Sequence, residues 1–184
     1  MNKFFFLIIL LFILPAESSI KVKIIDKFNK TNNLKFNFIQ TIDGKDQRGN
    51  CVIEFPKKIF CEYDSIHKKI LVSNGDSLVI KINKKGQYYR YPLNKTPLNI
   101  LLNKEYLINK INKIEGSLID EKYYLFTINE NNNKLNIFFD KENLKLIGWQ
   151  SEDVYQNLSV TFIYNVIENI YIDKKIFLLP KNNF

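Results

Sequence analysis

The stretch EFPKKIFCEYDSIHKKILVSNGDSLVIKI, Glu54 to Ile82, decides the fold. Its apolar residues alternate with period two, and strand side chains alternate between faces with that period. If Cys51, Ile53 and Phe55 share a face, then across a turn at Pro56-Lys57-Lys58 the side chains of Ile59, Cys61 and Tyr63 share it too. In the next hairpin Leu71 on one arm and Leu78, Ile80 and Ile82 on the other continue that face, with Ser77 and Lys81 opposite. Asn74-Gly75 supplies the positive φ of a tight turn. The face is continuously apolar and almost bare of reactive groups. By pattern alone, such alternation reads as core before it reads as the wall of a cavity.

Working outward to the N-terminus, Met1-Asn2-Lys3 is a short positive start and Phe4 to Leu14 an unbroken apolar run. Ala16 and Ser18 are small residues at the −3 and −1 positions of a cut after Ser18. Residues 1–18 therefore read as a cleavable secretory signal, with 19–184 as one domain. The competing reading is a membrane anchor, but the run falls short of the roughly 20 apolar residues a span needs. No cysteine follows the run, so no lipid attachment is expected there.

Ile20, Ile24, Ile25 and Phe28 recur at helical spacing, and Asn32-Asn33 closes that helix. From Leu34 the period is two: Leu34, Phe36, Phe38 and Gln40 face one way up to a turn at Asp43–Asp46, and a second arm runs from Asn50 to Phe55. After the quoted stretch, Asn83–Gly86 turns the chain into Gln87–Tyr91. Thr96-Pro97 reads as an N-cap and first helical position leading into Leu98, Ile100, Leu101 and Leu102. Further strands are expected over Tyr123–Asn129, Lys134–Phe139, Lys145–Ser151, Leu158–Glu168 and Lys175–Leu179. The expectation is a mainly β, α+β protein: a curved antiparallel sheet of about nine to eleven strands, an unclosed barrel with helices over one opening.

The net charge of +8 comes almost wholly from lysine, Arg48 and Arg90 being the only arginines. The lysines are scattered singly, as on a solvated face. Trp149 and the ten tyrosines could stack on bases, but the export signal and the absence of a basic-aromatic block argue against nucleic acid. Cys51 and Cys61 are the only cysteines. An exported protein allows a bridge between them; two buried thiols are the alternative, and the spacing fits neither a redox CxxC nor a zinc site. His67, the only histidine, sits near Ser65 without a nucleophile turn or third partner. The carboxylate pairs Asp120-Glu121 and Glu152-Asp153 lie in turns. No enzyme, metal or cofactor is expected.

Phe38-x-Gln40, Gly49 before a strand ending at Pro56, KIFCEY, ILVSNGDSLVIKI, Thr96-Pro97-Leu98-x-x-Leu101-Leu102 and the terminal IFLLP occur in an order and spacing that resemble the periplasmic lipoprotein carrier family LolA. The form PKKIFCEYD looks most like its alphaproteobacterial members. The resemblance implies an unclosed barrel under a helical lid, whose apolar cavity holds acyl chains. It implies a monomeric periplasmic chaperone that takes acylated lipoproteins from an inner-membrane ABC transporter and delivers them to an outer-membrane acceptor. A carrier or sensor of other lipids or acylated molecules on the same fold is the alternative.

On that resemblance the cavity is lined by Phe36, Phe38, Ile53, Phe55, Ile59, Cys61, Tyr63, Leu71, Leu78, Ile80 and Ile82, and the lid presents Leu98, Leu101 and Leu102. Family members carry an arginine before the proline that is Pro56 here, and it latches the lid. Phe55 cannot do so through a guanidinium, which leaves apolar contact or another residue such as Arg90.

Overall fold

The structure, a computed structural model, describes residues 19–130, 133–152 and 157–181; the expected signal at 1–18 and Asp153 lie outside them. Eleven antiparallel strands form one sheet: β1 Asn33–Ile42, β2 Lys45–Glu54, β3 Lys58–Tyr63, β4 Lys69–Asn74, β5 Ser77–Ile82, β6 Gln87–Pro92, β7 Ser117–Ile119, β8 Tyr123–Glu130, β9 Asn133–Asp140, β10 Leu146–Glu152 and β11 Leu158–Glu168. Their order is β6-β5-β4-β3-β2-β1-β11-β10-β9-β8-β7. The sheet is unclosed, with β6 and β7 as its two edges. Helices α1 Ile20–Asn29, α2 Leu98–Leu102 and α3 Lys104–Asn112 complete the fold.

Period-two alternation sets which side of the curved sheet is buried. Leu34, Phe36 and Phe38 of β1, Cys51 and Ile53 of β2, and Ile59 and Cys61 of β3 form one apolar concave face with Leu135, Ile137 and Phe139 of β9. The three helices fill part of that concavity. Ile24 and Phe28 of α1, Ile100, Leu101 and Leu102 of α2, and Leu107 and Ile111 of α3 are buried in the same cluster. Lys104 Nζ donates to the carbonyls of Asn29 and Thr31, both at 2.8 Å, tying the start of α3 to the end of α1.

Several local features differ from expectation. The β1–β2 turn is only Asp43-Gly44, both at positive φ (49° and 70°), the conformation of a two-residue hairpin loop. This lets β2 begin at Lys45, earlier than the expected Asn50. Thr96 does not cap α2: its hydroxyl turns back and donates to the Leu93 carbonyl at 2.8 Å. Helix α3 and the short edge strand β7 lie where the sequence pattern marks out no expected element.

The expected last strand, Lys175–Leu179, is instead a 3-10 turn over Lys174–Phe177. It packs on the convex side of β3 and β4, because both strands are already paired on each side and offer no free ladder. Phe177 is buried there, as are Val72 and Val79, which alternation points away from the concave core. Lys58 Nζ lies 5.8 Å from the Phe177 ring centroid, and Lys174 pairs with Glu54 at 3.5 Å.

At one point the sheet requires a missing side chain. A Cβ on Gly49 would lie 2.0 Å from the Glu62 carbonyl oxygen and 2.9 Å from Cε1 of Phe38. Glycine lets the Phe38 ring lie over β2 and meet Tyr63 edge-on, centroids 5.0 Å apart.

Candidate functional site

Where the helices stop, the concave face is left uncovered. A cavity of about 440 Å³ remains between β3 to β6, the neighbouring ends of β1, β2, β10 and β11, and the segment Thr96-Pro97-Leu98. Of the residues singled out in the sequence, Phe38, Ile59, Cys61, Tyr63, Leu71, Leu78, Ile80, Ile82 and Leu98 line it. Consecutive antiparallel pairing brings them together, with Cys61 opposite Leu71 and Leu71 opposite Ile80. Cys51 and Cys61 face each other across β2 and β3 and are joined by a disulfide that also lines the cavity.

Five of the named residues do not reach it. Phe36 and Ile53 lie on the same face but under the helices, 1 % and 0 % exposed, and Phe36 packs edge-on against Trp149. Leu101 and Leu102 point into the same core. The concave face is longer than the cavity, and alternation could not tell where along it the helices would sit. Phe55 lies just past the end of β2 and holds α1, its ring 5.6 Å from that of Phe28. Lys104 Nζ stands 5.8 Å from the Phe55 ring centroid, and Lys57 N–H donates to the Leu102 carbonyl at 2.8 Å. Arg90 is exposed and donates to Ser77 Oγ on the adjacent strand at 2.9 and 3.1 Å, away from the helices. At position 55 the contact with the helices is therefore aromatic, made to Phe28 of α1, and Arg90 takes no part in it.

The cavity also has a polar side, which the sequence reading did not assign to it. Gln40, Gln47, Lys69, Ser151, Glu152, Ser159 and Thr161 line it together with Trp149. Tyr63 O–H donates to Gln40 Oε1 at 3.1 Å, and Gln40 Nε2 donates to Ser159 Oγ at 3.1 Å and Thr161 Oγ1 at 3.2 Å. Lys69 Nζ donates to Gln47 Oε1 at 2.8 Å and lies 3.8 Å from the Tyr63 ring centroid. Burial pushes the Tyr63 phenol well above its ordinary value. A sequence signal existed in Trp149-x-Ser151 and Ser159-x-Thr161-x-Ile163, where small hydroxyls take inward positions of the alternation.

A smaller tie holds α3 to β8. Tyr106 O–H donates to Glu130, and Lys110 pairs with the same carboxylate at 3.1 Å. The Tyr106 hydrogen bond, followed by Lys110, holds the Glu130 carboxyl below its ordinary range.

His67 and Ser65 form no hydrogen bond with each other; Ser65 Oγ accepts from the Lys69 N–H, and the His67 carbonyl accepts from the Lys84 N–H. Among the described residues, no three of His, Cys, Asp and Glu stand together to hold a metal ion. No helix among them is long and apolar enough to cross a membrane.

Residues 29–179 match the family model described as outer membrane lipoprotein carrier protein LolA. The chain belongs to the LolA family. No curated protein matches it in sequence. Among solved structures, a LolA superfamily protein from Nitrosomonas europaea is similar at 10 % identity and a TM-score of 0.47, covering 86 % of this chain and 97 % of the other. A DUF1329 family protein from Desulfovibrio piger is similar at 9 % identity and 0.45, covering 85 % and 93 %. The lipoprotein LppX of Mycobacterium tuberculosis follows at 8 % and 0.39, covering 83 % and 96 %. The LolA family match thus covers β1 to β11 and all the residues that line the cavity.

Proposed function

We propose that this LolA-family protein is an exported periplasmic chaperone that shelters the acyl chains of lipoproteins and carries them from the inner to the outer membrane. The observation that carries the reading is the apolar wall of Leu71, Leu78, Ile80 and Ile82 facing about 440 Å³ of open space instead of packed side chains. Each buried methylene is worth about 0.8 kcal/mol, so a sixteen-carbon chain resists water by about 12 kcal/mol. Such a chain does not cross an aqueous gap unaided on a useful timescale. A protein wall replaces the membrane for the passage.

In this scheme an inner-membrane ABC transporter loads the carrier and an outer-membrane acceptor unloads it. Transfer between sites needs only a difference of affinities. The cavity volume lies within the range of sites for single small molecules, roughly 300–1,000 Å³, which also fits a carrier or sensor of other lipids or acylated molecules. The test is to incubate the protein spanning residues 19–184 with spheroplasts bearing acylated lipoproteins. A soluble one-to-one complex carrying acyl groups, seen by native mass spectrometry, is the expected result. Release no greater than in buffer overturns the reading.

A further inference from the structure

Three buried hydroxyls interrupt an otherwise oily cavity. Ser151 on β10 and Ser159 and Thr161 on β11 are 9 %, 5 % and 2 % exposed, and all three line it. The register sets Ser151 opposite Ser159, and Thr161 opposite Gln40. Gln40 Nε2 donates to Ser159 Oγ and Thr161 Oγ1, so both hydroxyls act as acceptors there. A hydroxyl carries one proton to donate as well. Among the described residues, none of the three hydroxyls donates to a protein acceptor.

Lys69 extends the same arc through Gln47 and the face of Tyr63. The Tyr63 hydroxyl closes it back onto Gln40. One side of the cavity is therefore hydrocarbon, and the adjoining side is a row of hydroxyl donors ending in a cation. Glu152 also reaches the lining, from an exposed position.

A guest made only of hydrocarbon would cover these donors without satisfying them, and an unsatisfied buried donor carries the full cost of its lost hydration. A guest with oxygen acceptors at one end satisfies them while its chain lies on Leu71 and Ile80. We infer that the Ser151–Ser159–Thr161 arc with Lys69 is a head site for an acyl chain, binding the carbonyl oxygen of an ester or amide or the carboxylate of a fatty acid. The inference rests on the acyl-carrier reading above and adds to it which atoms of the cargo the protein recognises. It also sets how the guest lies, with the chain on the β4–β5 wall and the oxygens towards β10 and β11.

Trp149 is the only tryptophan and lines the cavity, so its emission reports occupancy. The protein is titrated with palmitate, methyl palmitate and hexadecane delivered from the same cyclodextrin carrier. Both oxygenated guests are expected to bind about tenfold or more tighter than hexadecane, the worth of one or two net hydrogen bonds. The double variant Ser159→Ala/Thr161→Val should lose that preference, and Thr161→Ser should keep it, with thermal unfolding verifying that each is folded. Lys69→Met should weaken palmitate selectively if the carboxylate is the head, and leave both oxygenated guests alike if the carbonyl is; each result upholds the site and assigns its source. Equal affinity for all three guests, or full preference in the double variant, overturns the head site while leaving an apolar carrier intact. Failure of every guest to bind removes the acyl-carrier reading itself.

Discussion

The ring of Phe55 meets the ring of Phe28 edge-on, with centroids 5.6 Å apart and planes at 80°. Phe28 in turn meets Phe139 at 5.9 Å and 79°, so α1 is clasped between the end of β2 and the C-terminal end of β9. Phe55 therefore governs helix docking and not the chemistry of the cavity wall. Replacing a fully buried Phe by Ala costs about 3–5 kcal/mol. Phe55 is half-buried, and Phe55→Ala is expected to lower stability by about 2 kcal/mol, with Phe55→Leu closer to the parent. Urea unfolding gives the magnitude. Hydrogen exchange should show α1 amides exchanging faster in the Ala variant while those of β10 remain protected.

Ile80 gives the complementary experiment. It lines the cavity, is only partly buried and pairs with Leu71 and Tyr89 on its neighbours. A carboxylate there can reach the opening, so Ile80→Glu should cost stability only about 1 kcal/mol. An acyl chain against that wall would have to desolvate the charge. Uptake of acylated lipoprotein from spheroplasts should be abolished while the circular dichroism spectrum stays that of the parent. Undiminished uptake would mean that cargo does not lie on the β4–β5 wall.

The wall containing Ile80 was legible because a strand tells its two faces apart by period alone. Leu71, Leu78, Ile80 and Ile82 needed nothing more than that rule and the Asn74-Gly75 turn. The boundary between core and cavity was not legible. Phe36 and Phe38 look identical in the sequence, and only the placement of α1 to α3 buries the first under helices and leaves the second at the cavity. The hydroxyl arc was hidden for a related reason, since Gln40, Ser151, Ser159 and Thr161 meet only through the pairing of β1 with β11 and of β11 with β10. Helix α3 had a usable signal in Leu107 and Ile111, one turn apart on one face. The C-terminal segment carried a strand-like composition but found no open edge on the convex side.

The Cys51–Cys61 bridge spans the β2–β3 hairpin with a sequence separation of 10. In the chain-entropy account, closing so short a loop in the unfolded chain is worth about 2–3 kcal/mol. The double variant Cys51→Ala/Cys61→Ala should lose that amount or more, because both residues are also buried in the core cluster. Unfolding of the parent with and without reductant separates the two contributions. The reduced parent keeps the sulfur atoms and should lie between the oxidised parent and the Ala variant.

Glu130 makes the attachment of α3 to β8 depend on acidity in a defined direction. Tyr106 donates to its carboxylate and Lys110 pairs with it, so its folded-state pKa lies below the unfolded value. A carboxyl with a depressed folded pKa binds its proton more readily in the unfolded chain, so its contribution is complete above the unfolded value of about 4.3 and is lost as pH falls through the folded one. The contribution is modest because the pair is partly exposed and screened by solvent. Glu130→Gln should therefore be less stable than the parent at pH 7, and the difference should shrink below about pH 4 as the parent carboxylate becomes protonated. Chemical unfolding of both proteins across this range checks the sign. A gap that widened with acid would show that Glu130 does not hold α3 to β8 through its charge.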